Sequence, residues 1–355
     1  MASAGSVASV ALSRAAAEGH GADRRRVSAI AGLEANGYRR HALHAEDQVW
    51  VEKNCYVDVW IELLHALKLN PVAMLAFTVA VDFEGDQWTF FKPPHEELWT
   101  LYGIEVHELN LWRPLLDHAV EYLAAGKLIC TEADAFWLPD TAGTDYRRQH
   151  TKSSIILADI DPDQRRLGYF HNAGYFDLQD EDFVNIFRLG FAADPTFMPL
   201  FAEVVRTDAL VRRSESELLQ RAKRSWRRHL EHLPRSNPVV RFMERLDADF
   251  PDLQQRGLNH YHAWAFATVR QLGAAFELAA GNLRWMRASD SGVPPDAIEH
   301  FESISESCKT FILKGVRAVN ARRPLAIRDL LGPLAEHWEH GTSRVREWSD
   351  SEHGN

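Results

Sequence analysis

The sequence contains few cysteines, and none of them has a paired spacing. Its 355 residues include Cys55, Cys130 and Cys308, which are too far apart for a CxxC zinc site or a disulfide framework. Small secreted domains held by disulfides are therefore excluded as a class. The reducing cytosol is the compartment that this cysteine usage predicts.

Several chemical motifs are missing as well. Without GxGxxG, GxxxxGK[ST], GxSxG or HExxH, the sequence gives no support for nucleotide binding, a serine-hydrolase elbow or a zinc protease. No apolar run approaches 18 residues, so we expect no transmembrane helix. The net charge of −10, from 40 basic and 50 acidic residues, argues against a nucleic-acid binder. We expect no bound metal or other cofactor.

The order of the predicted elements indicates the α+β class. Residues 1–40, rich in Ala, Ser, Gly and Arg, predict a flexible tail. Residues 41–190 mix helix and strand patterns, whereas 191–345 show only helical periodicity and predict a helical domain. A short tail follows at 346–355.

The stretch "EKNCYVDVWIELLHAL" predicts a helix that begins near Cys55. Asn54 is a suitable N-cap residue. Cys55 would then lie in the first turn, where free N–H groups and the helix dipole favour a thiolate. The alternative is that Cys55 is a small buried apolar residue.

A predicted β-hairpin supplies partners for this cysteine. The strands 152–160 and 166–171 are joined by "DPDQ", a good turn sequence. His150 and Asn172 flank its open end, so Asn172 could orient an imidazole that acts as base for Cys55. This arrangement of Cys55, His150 and Asn172 is papain-like. His171 and Asp161 remain alternatives to Asn172 as the third residue.

Residues 52 to about 178 resemble the N-terminal domain of the butirosin-biosynthesis acyltransferase family (BtrH-like). They look closer still to an uncharacterised bacterial family encoded beside amino acid–carrier-protein ligases. The segments that carry the resemblance are "NCYVDVWIELLHAL", "TFFKPPHEELWTLYGIEV", "EADAFWLPDTAGTDYRRQHTKSSI" and "GYFHNAGYFDL". The family's helix-borne cysteine, acidic residue and strand-opening histidine match Cys55, Asp134 and His150.

The resemblance implies a papain-like acyltransferase domain followed by a helical region. Such enzymes take an acyl group from the phosphopantetheine thioester of a carrier protein and pass it to an amine. Asp134 would then bind the ammonium of an aminoacyl group or an acceptor amine, with Asp140 and Tyr146 of the same loop as further candidates. The alternative is that Asp134 only caps a turn. The glutamine that papain-like enzymes carry six residues before the cysteine is Val49 here, which leaves Gln48, Asn54 or the backbone N–H of Cys55 as candidate oxyanion groups.

Two other functions use the same residues. A cysteine peptidase or amidase would differ only in using water as the acceptor, and a binding protein could keep the fold without catalysis. A local excess of positive charge at 212–235 adds a possible docking surface for an acidic carrier protein, with Arg224, Arg227 and Arg228 as candidates. The alternative for this stretch is a solvated helix face.

Overall fold

The computed structural model describes residues 26–190 and 200–351, and it has a mixed α+β architecture. One antiparallel sheet has the strand order β2-β7-β3-β4-β5-β6, and β1 pairs with β4. The strands are β1 (Val27–Ser28), β2 (Glu105–Glu108), β3 (Leu128–Asp134), β4 (Lys152–Asp161), β5 (Arg166–His171), β6 (Gly174–Gln179) and β7 (Ala202–Arg206).

Helices pack on both faces of this sheet and form most of the second half of the chain. The described residues contain α1 (Cys55–Ala66), α2 (His95–Tyr102), α3 (Leu115–Ala124), α4 (Asp180–Ile186), α5 (Glu215–Glu231), α6 (Pro238–Arg256), α7 (Leu258–Ala267), α8 (Val269–Ser289), α9 (Pro295–Ala321) and α10 (Ile327–Ser351). A run of 3₁₀ turns at Pro71–Ala80 packs against α5 and α8. The sheet half and the helical half therefore share one hydrophobic core.

The two faces of the sheet bury different partners because successive strand residues point to opposite sides. Ile156 of β4 belongs to the core that contains α1 and the helical half. Its neighbours Ile155 and Leu157 belong to a second core against α3 and α4. The predicted hairpin is confirmed as β4 and β5, in the register Ile156 opposite Phe170.

Three boundary predictions need correction. The segment at 202–206, expected to be helical, is strand β7, because Val204 and Val205 pair with β2 and β3 inside the sheet. Residues 26–40 of the expected tail are anchored: Arg26 bonds Asp159, and β1 pairs with β4. Residues 346–351 belong to α10. The remaining tail residues, 1–25 and 352–355, lie outside the described part of the chain, as do residues 191–199 at the start of the expected helical domain.

Candidate functional site

Cys55 is the first residue of α1, as predicted. Asn54 caps the helix: its Oδ1 accepts the N–H groups of Tyr56 (3.1 Å) and Val57 (2.9 Å). The Asn54 amide also donates to the carbonyl of Phe91 at 3.0 Å. Asn54 is thus occupied as a structural cap. The Cys55 N–H, which has no intrahelical acceptor in this position, is the better candidate for an oxyanion donor.

Cys55 is the only one of the three cysteines that is partly exposed. Cys130 and Cys308 are buried, and their burial raises the pKa of each thiol. The Cys55 Sγ lies 3.8 Å from the Oγ of Ser154 on β4. The nucleophile candidate therefore lies where α1 meets the sheet.

His150 has a carboxylate partner. Its Nδ1 lies 2.6 Å from Oδ2 of Asp134, the last residue of β3. The imidazole also stacks on Phe136, with ring centroids 4.5 Å apart and planes 14° from parallel. A proton on Nδ1 would be held by Asp134, which leaves Nε2 as the nitrogen that can accept a proton.

The register places this pair on the same side of the sheet as Cys55. Asp134 is opposite Lys152, two residues before Ser154, and residues two apart on a strand share a face. Ser154 contacts Cys55. Within residues 26–190 and 200–351, however, no hydrogen bond joins Cys55 to His150. Catalytic hydrogen bonds often form only in the complex with substrate.

Asn172 occupies a different role from the one predicted. It lies in the two-residue turn between His171 and Gly174, which pair at the ends of β5 and β6. Its φ of 42° is in the left-handed region, which asparagine tolerates better than most residues. The side-chain hydrogen-bond partner of His150 is Asp134, and no hydrogen bond joins Asn172 to His150 in the described residues.

The two alternative third residues also lie elsewhere. Asp161 accepts the N–H of Gln164 in the β4–β5 turn, at the far end of the hairpin from His150. His171 is buried, and its two nitrogens lie 2.6 Å from Ser153 Oγ and 2.6 Å from Asp140 Oδ2. Both residues are thus committed to structural contacts.

Asp140 and Tyr146 anchor the loop that joins Asp134 to His150. Asp140 accepts hydrogen bonds from Tyr169 and His171, and its side chain is 3% exposed. Tyr146 donates to Asp182 of α4 at 2.9 Å. These contacts hold the middle of the loop between Asp134 and His150 against the rest of the fold, and this is the role that the structure gives to both residues.

A buried charged cluster that is not among the sequence predictions packs against α1. His44 contacts Glu62 through Nδ1, and its Nε2 lies 3.1 Å from Asp58 Oδ1. Burial lowers the pKa of His44, but the two carboxylates outweigh it and raise the pKa to about 9. Asp58 also accepts the N–H of Lys53 at 2.8 Å. The spacing of Asp58 and Glu62 on an otherwise apolar helix was the available signal.

The segment before Cys55 is also held from the helical half. Glu277 of α8 accepts the N–H of Val49 at 2.7 Å, and its other oxygen lies 2.9 Å from Lys53 Nζ. Gln48, the other oxyanion candidate, is partly buried and bonds the carbonyl of Ala45 through its backbone. In the described residues, no hydrogen bond involves its side chain.

The basic stretch forms α5, which begins with a capping box at Ser214. Arg228 is committed: it contacts Glu96 at 3.1 Å and the buried Glu97 at 2.8 Å. Among the described residues, Arg224 hydrogen-bonds a backbone carbonyl, that of Gln220, and no carboxylate. Arg224 is thus a better docking candidate than Arg228, because the charge of Arg228 is already neutralised by Glu96 and Glu97.

Comparison with known protein families gives two matches. The DUF1839 N-terminal domain matches residues 39–207, and the DUF1839 C-terminal domain matches residues 215–347. No curated protein matches the chain. In the part of the chain that the structure describes, no helix is long and apolar enough to cross a membrane, and no group of three or more His, Cys, Asp or Glu side chains could hold a metal ion.

Proposed function

The chain belongs to the DUF1839 family, and from this premise we propose that it is a cytoplasmic acyltransferase with a papain-like catalytic domain. It would move an acyl or aminoacyl group from the phosphopantetheine thioester of a carrier protein to an amine. The group would pass through a thioester on Cys55. The thioester supplies the activation, so this route needs no resident cofactor.

One observation carries the proposal. The only partly exposed cysteine starts a helix that packs on the sheet face where Asp134 and His150 form a 2.6 Å pair. A helix-borne thiol with a carboxylate-oriented imidazole on the adjacent sheet is the constellation of papain-like enzymes. The resemblance to carrier-dependent acyltransferases, which matches the same three residues, selects acyl transfer within that class.

The residues would act in two steps. His150 accepts the proton of the Cys55 thiol as the sulfur attacks the thioester carbonyl, and the Cys55 N–H stabilises the oxyanion. The carrier thiol leaves and takes a proton from His150. In the second step the amine attacks the new thioester, His150 Nε2 accepts the proton from the amine, and the Cys55 thiolate is released. Asp134 keeps the imidazole in the required tautomer.

The second half would contribute carrier binding. Carrier proteins are usually acidic, and complementary charge speeds their association. Arg224 and Arg227 remain candidates for this contact. We add Arg221, which faces a cavity of about 200 Å³ together with Arg224. Arg228 would hold α2 and α5 together through Glu96 and Glu97.

The decisive experiment is the intact mass of the protein after incubation with an aminoacylated carrier protein. We expect an adduct of one aminoacyl group, located at Cys55 by peptide mapping and absent from the Cys55→Ala variant. Addition of an amine should release the adduct as an amide. Release as free acid at the same rate with and without amines would instead indicate a hydrolase. No adduct on the folded wild-type protein would refute covalent catalysis.

A further inference from the structure

An arginine from the helical half reaches the start of the cysteine helix. Arg270 of α8 donates from Nη2 to the carbonyl of Glu52, three residues before Cys55, at 2.6 Å. Its side chain is only 15% exposed. Its guanidinium lies over the ring of Phe266, 4.4 Å from the centroid. The helical half thus places a cation next to the segment that carries Cys55.

The hydrogen-bonding capacity of Arg270 is mostly unused. The nearest carboxylate oxygen, Glu52 Oε2, is 3.9 Å from Nη2, which is too far for a hydrogen bond. Across the described residues, Nε and Nη1 have no hydrogen-bond partner, and neither is among the fully buried unpaired atoms. These donors are therefore within reach of solvent, and they form the planar fork that matches a carboxylate.

The bond to the Glu52 carbonyl holds the guanidinium of Arg270 three residues before Cys55 in the chain. Burial lowers the pKa of Arg270, and negative charge on Asp58, Glu52 and Cys55 opposes this shift. Asp58 is already engaged by His44 and by the Lys53 N–H. Of the groups that favour the charged guanidinium, Cys55 is the one that reacts in the proposed mechanism. Because Arg270 is held at Glu52, three residues before Cys55, an anion bound at Arg270 would lie near the segment that carries the reacting thiol.

We propose that Arg270 binds a carboxylate of the substrate beside Cys55, while the exposed ring of Phe266 contacts the apolar atoms next to that carboxylate. Phe266 is 58% exposed, so its ring is open to such a contact. The inference rests on the proposed function, because it assumes that Cys55 is the nucleophile. It narrows the substrate class to an acyl group or an amine acceptor that carries a free carboxylate.

Two alkylating reagents test the site without the natural substrate. Iodoacetate is an anion and iodoacetamide is its neutral counterpart, and both would label Cys55, the one partly exposed thiol. We expect the ratio of the iodoacetate rate to the iodoacetamide rate to fall about tenfold in Arg270→Gln, as the loss of one nearby charge predicts. Arg270→Lys should keep part of the ratio. The control is Arg256→Gln, an exposed arginine paired with Asp252, which should leave the ratio unchanged.

The ratio separates the two hypotheses. Reaction with iodoacetamide reports on Cys55 as a nucleophile, whereas the ratio reports on the anion site. An unchanged ratio in Arg270→Gln would overturn the carboxylate site and leave the proposed function standing. If Cys55 reacts with neither reagent, thermal stabilisation by N-acetylglycine and N-acetylglycinamide decides. A preference for the acid that Arg270→Gln abolishes supports the site, and equal stabilisation overturns it.

A transfer assay would locate the carboxylate. If the acyl group carries it, Arg270→Gln should slow the acylation of Cys55 in a single turnover. If the acceptor carries it, acylation should proceed at the normal rate, while the KM for the amine rises about tenfold or more. Normal acylation together with a normal acceptor KM would show that Arg270 binds neither substrate.

Discussion

The imidazole of His150 is bound to Asp134 and not to Asn172, although Asn172 follows the neighbouring strand. The 2.6 Å contact joins the end of β3 to the residue two before β4. It gives the candidate base a carboxylate, which orients the ring and would stabilise the imidazolium that the proposed mechanism forms. Asp134 is therefore the third residue of the proposed site.

We predict that Asp134→Ala and Asp134→Asn both lower kcat strongly. Asparagine keeps the shape but can donate to Nδ1, which would favour the wrong tautomer, and that inversion can cost about 10⁴ in rate. Acylation of Cys55 in a single turnover measures the effect. If Asp134→Asn reacts at the wild-type rate, Asp134 has no role in orienting His150.

We predict that Asn172→Gly keeps both activity and stability. Glycine adopts the φ of 42° without strain but has no side chain to orient an imidazole. Asn172→Ala should lower the free energy of unfolding by about 1 kcal/mol, since alanine is strained in the left-handed region. Urea unfolding and the acylation rate of the two variants provide the measurement. A glycine variant that folds normally but is inactive would restore Asn172 to the site.

The sequence alone was sufficient to predict structural features that depend on residues close together in the chain. The start of α1 follows from one side chain, because Asn54 satisfies N–H groups two and three residues later. The β4–β5 hairpin likewise needs only two adjacent strands and their turn. Both features were predicted with nearly correct limits.

Contacts between distant segments were harder to predict. Strand β7 has five residues, and it is a strand because it pairs with β2 on one side and β3 on the other. Both partner strands come about 70 to 100 residues earlier in the sequence. The bond between Arg270 and the Glu52 carbonyl spans 218 residues. A sequence pattern carries little information about such contacts, so the contribution of the helical half to the Cys55 site was missed.

We predict that Arg221→Glu with Arg224→Glu weakens the binding of an acidic carrier protein without loss of stability. Neither guanidinium contacts a carboxylate in the described residues, and the pKa of Arg221 is lowered by burial and by its positive neighbours Arg213 and Arg224. The loss of affinity should be larger at low salt, because ionic strength screens exposed charges. Titration at two salt concentrations measures it.

Arg228→Glu is the matched control, because it reverses a charge on the same helix at an arginine that is already paired with carboxylates. It leaves the buried Glu97 without one of its cationic partners, so we expect the free energy of unfolding to fall by about 3 kcal/mol. The outcome against the docking hypothesis would be equal carrier affinity of the wild type and the Arg221/Arg224 variant at low salt.

The last prediction concerns pH and the buried cluster beneath Cys55. His44 has a folded-state pKa of about 9 against an ordinary value of 6.5, because Asp58 and Glu62 outweigh the effect of its burial. A raised pKa stabilises the fold fully below pH 6.5, and this contribution is lost as pH rises through 9. It amounts to about 3 kcal/mol at most.

We therefore expect the urea midpoint of the wild type to fall between pH 7 and 10. His44→Gln should be less stable at pH 7, and its urea midpoint should fall less over the same pH range. Because lysines and tyrosines also titrate above pH 9, the difference between the two proteins is the relevant quantity. Parallel curves for wild type and His44→Gln would show that His44 does not hold a proton in this cluster, and that the carboxylates beneath α1 are stabilised in another way.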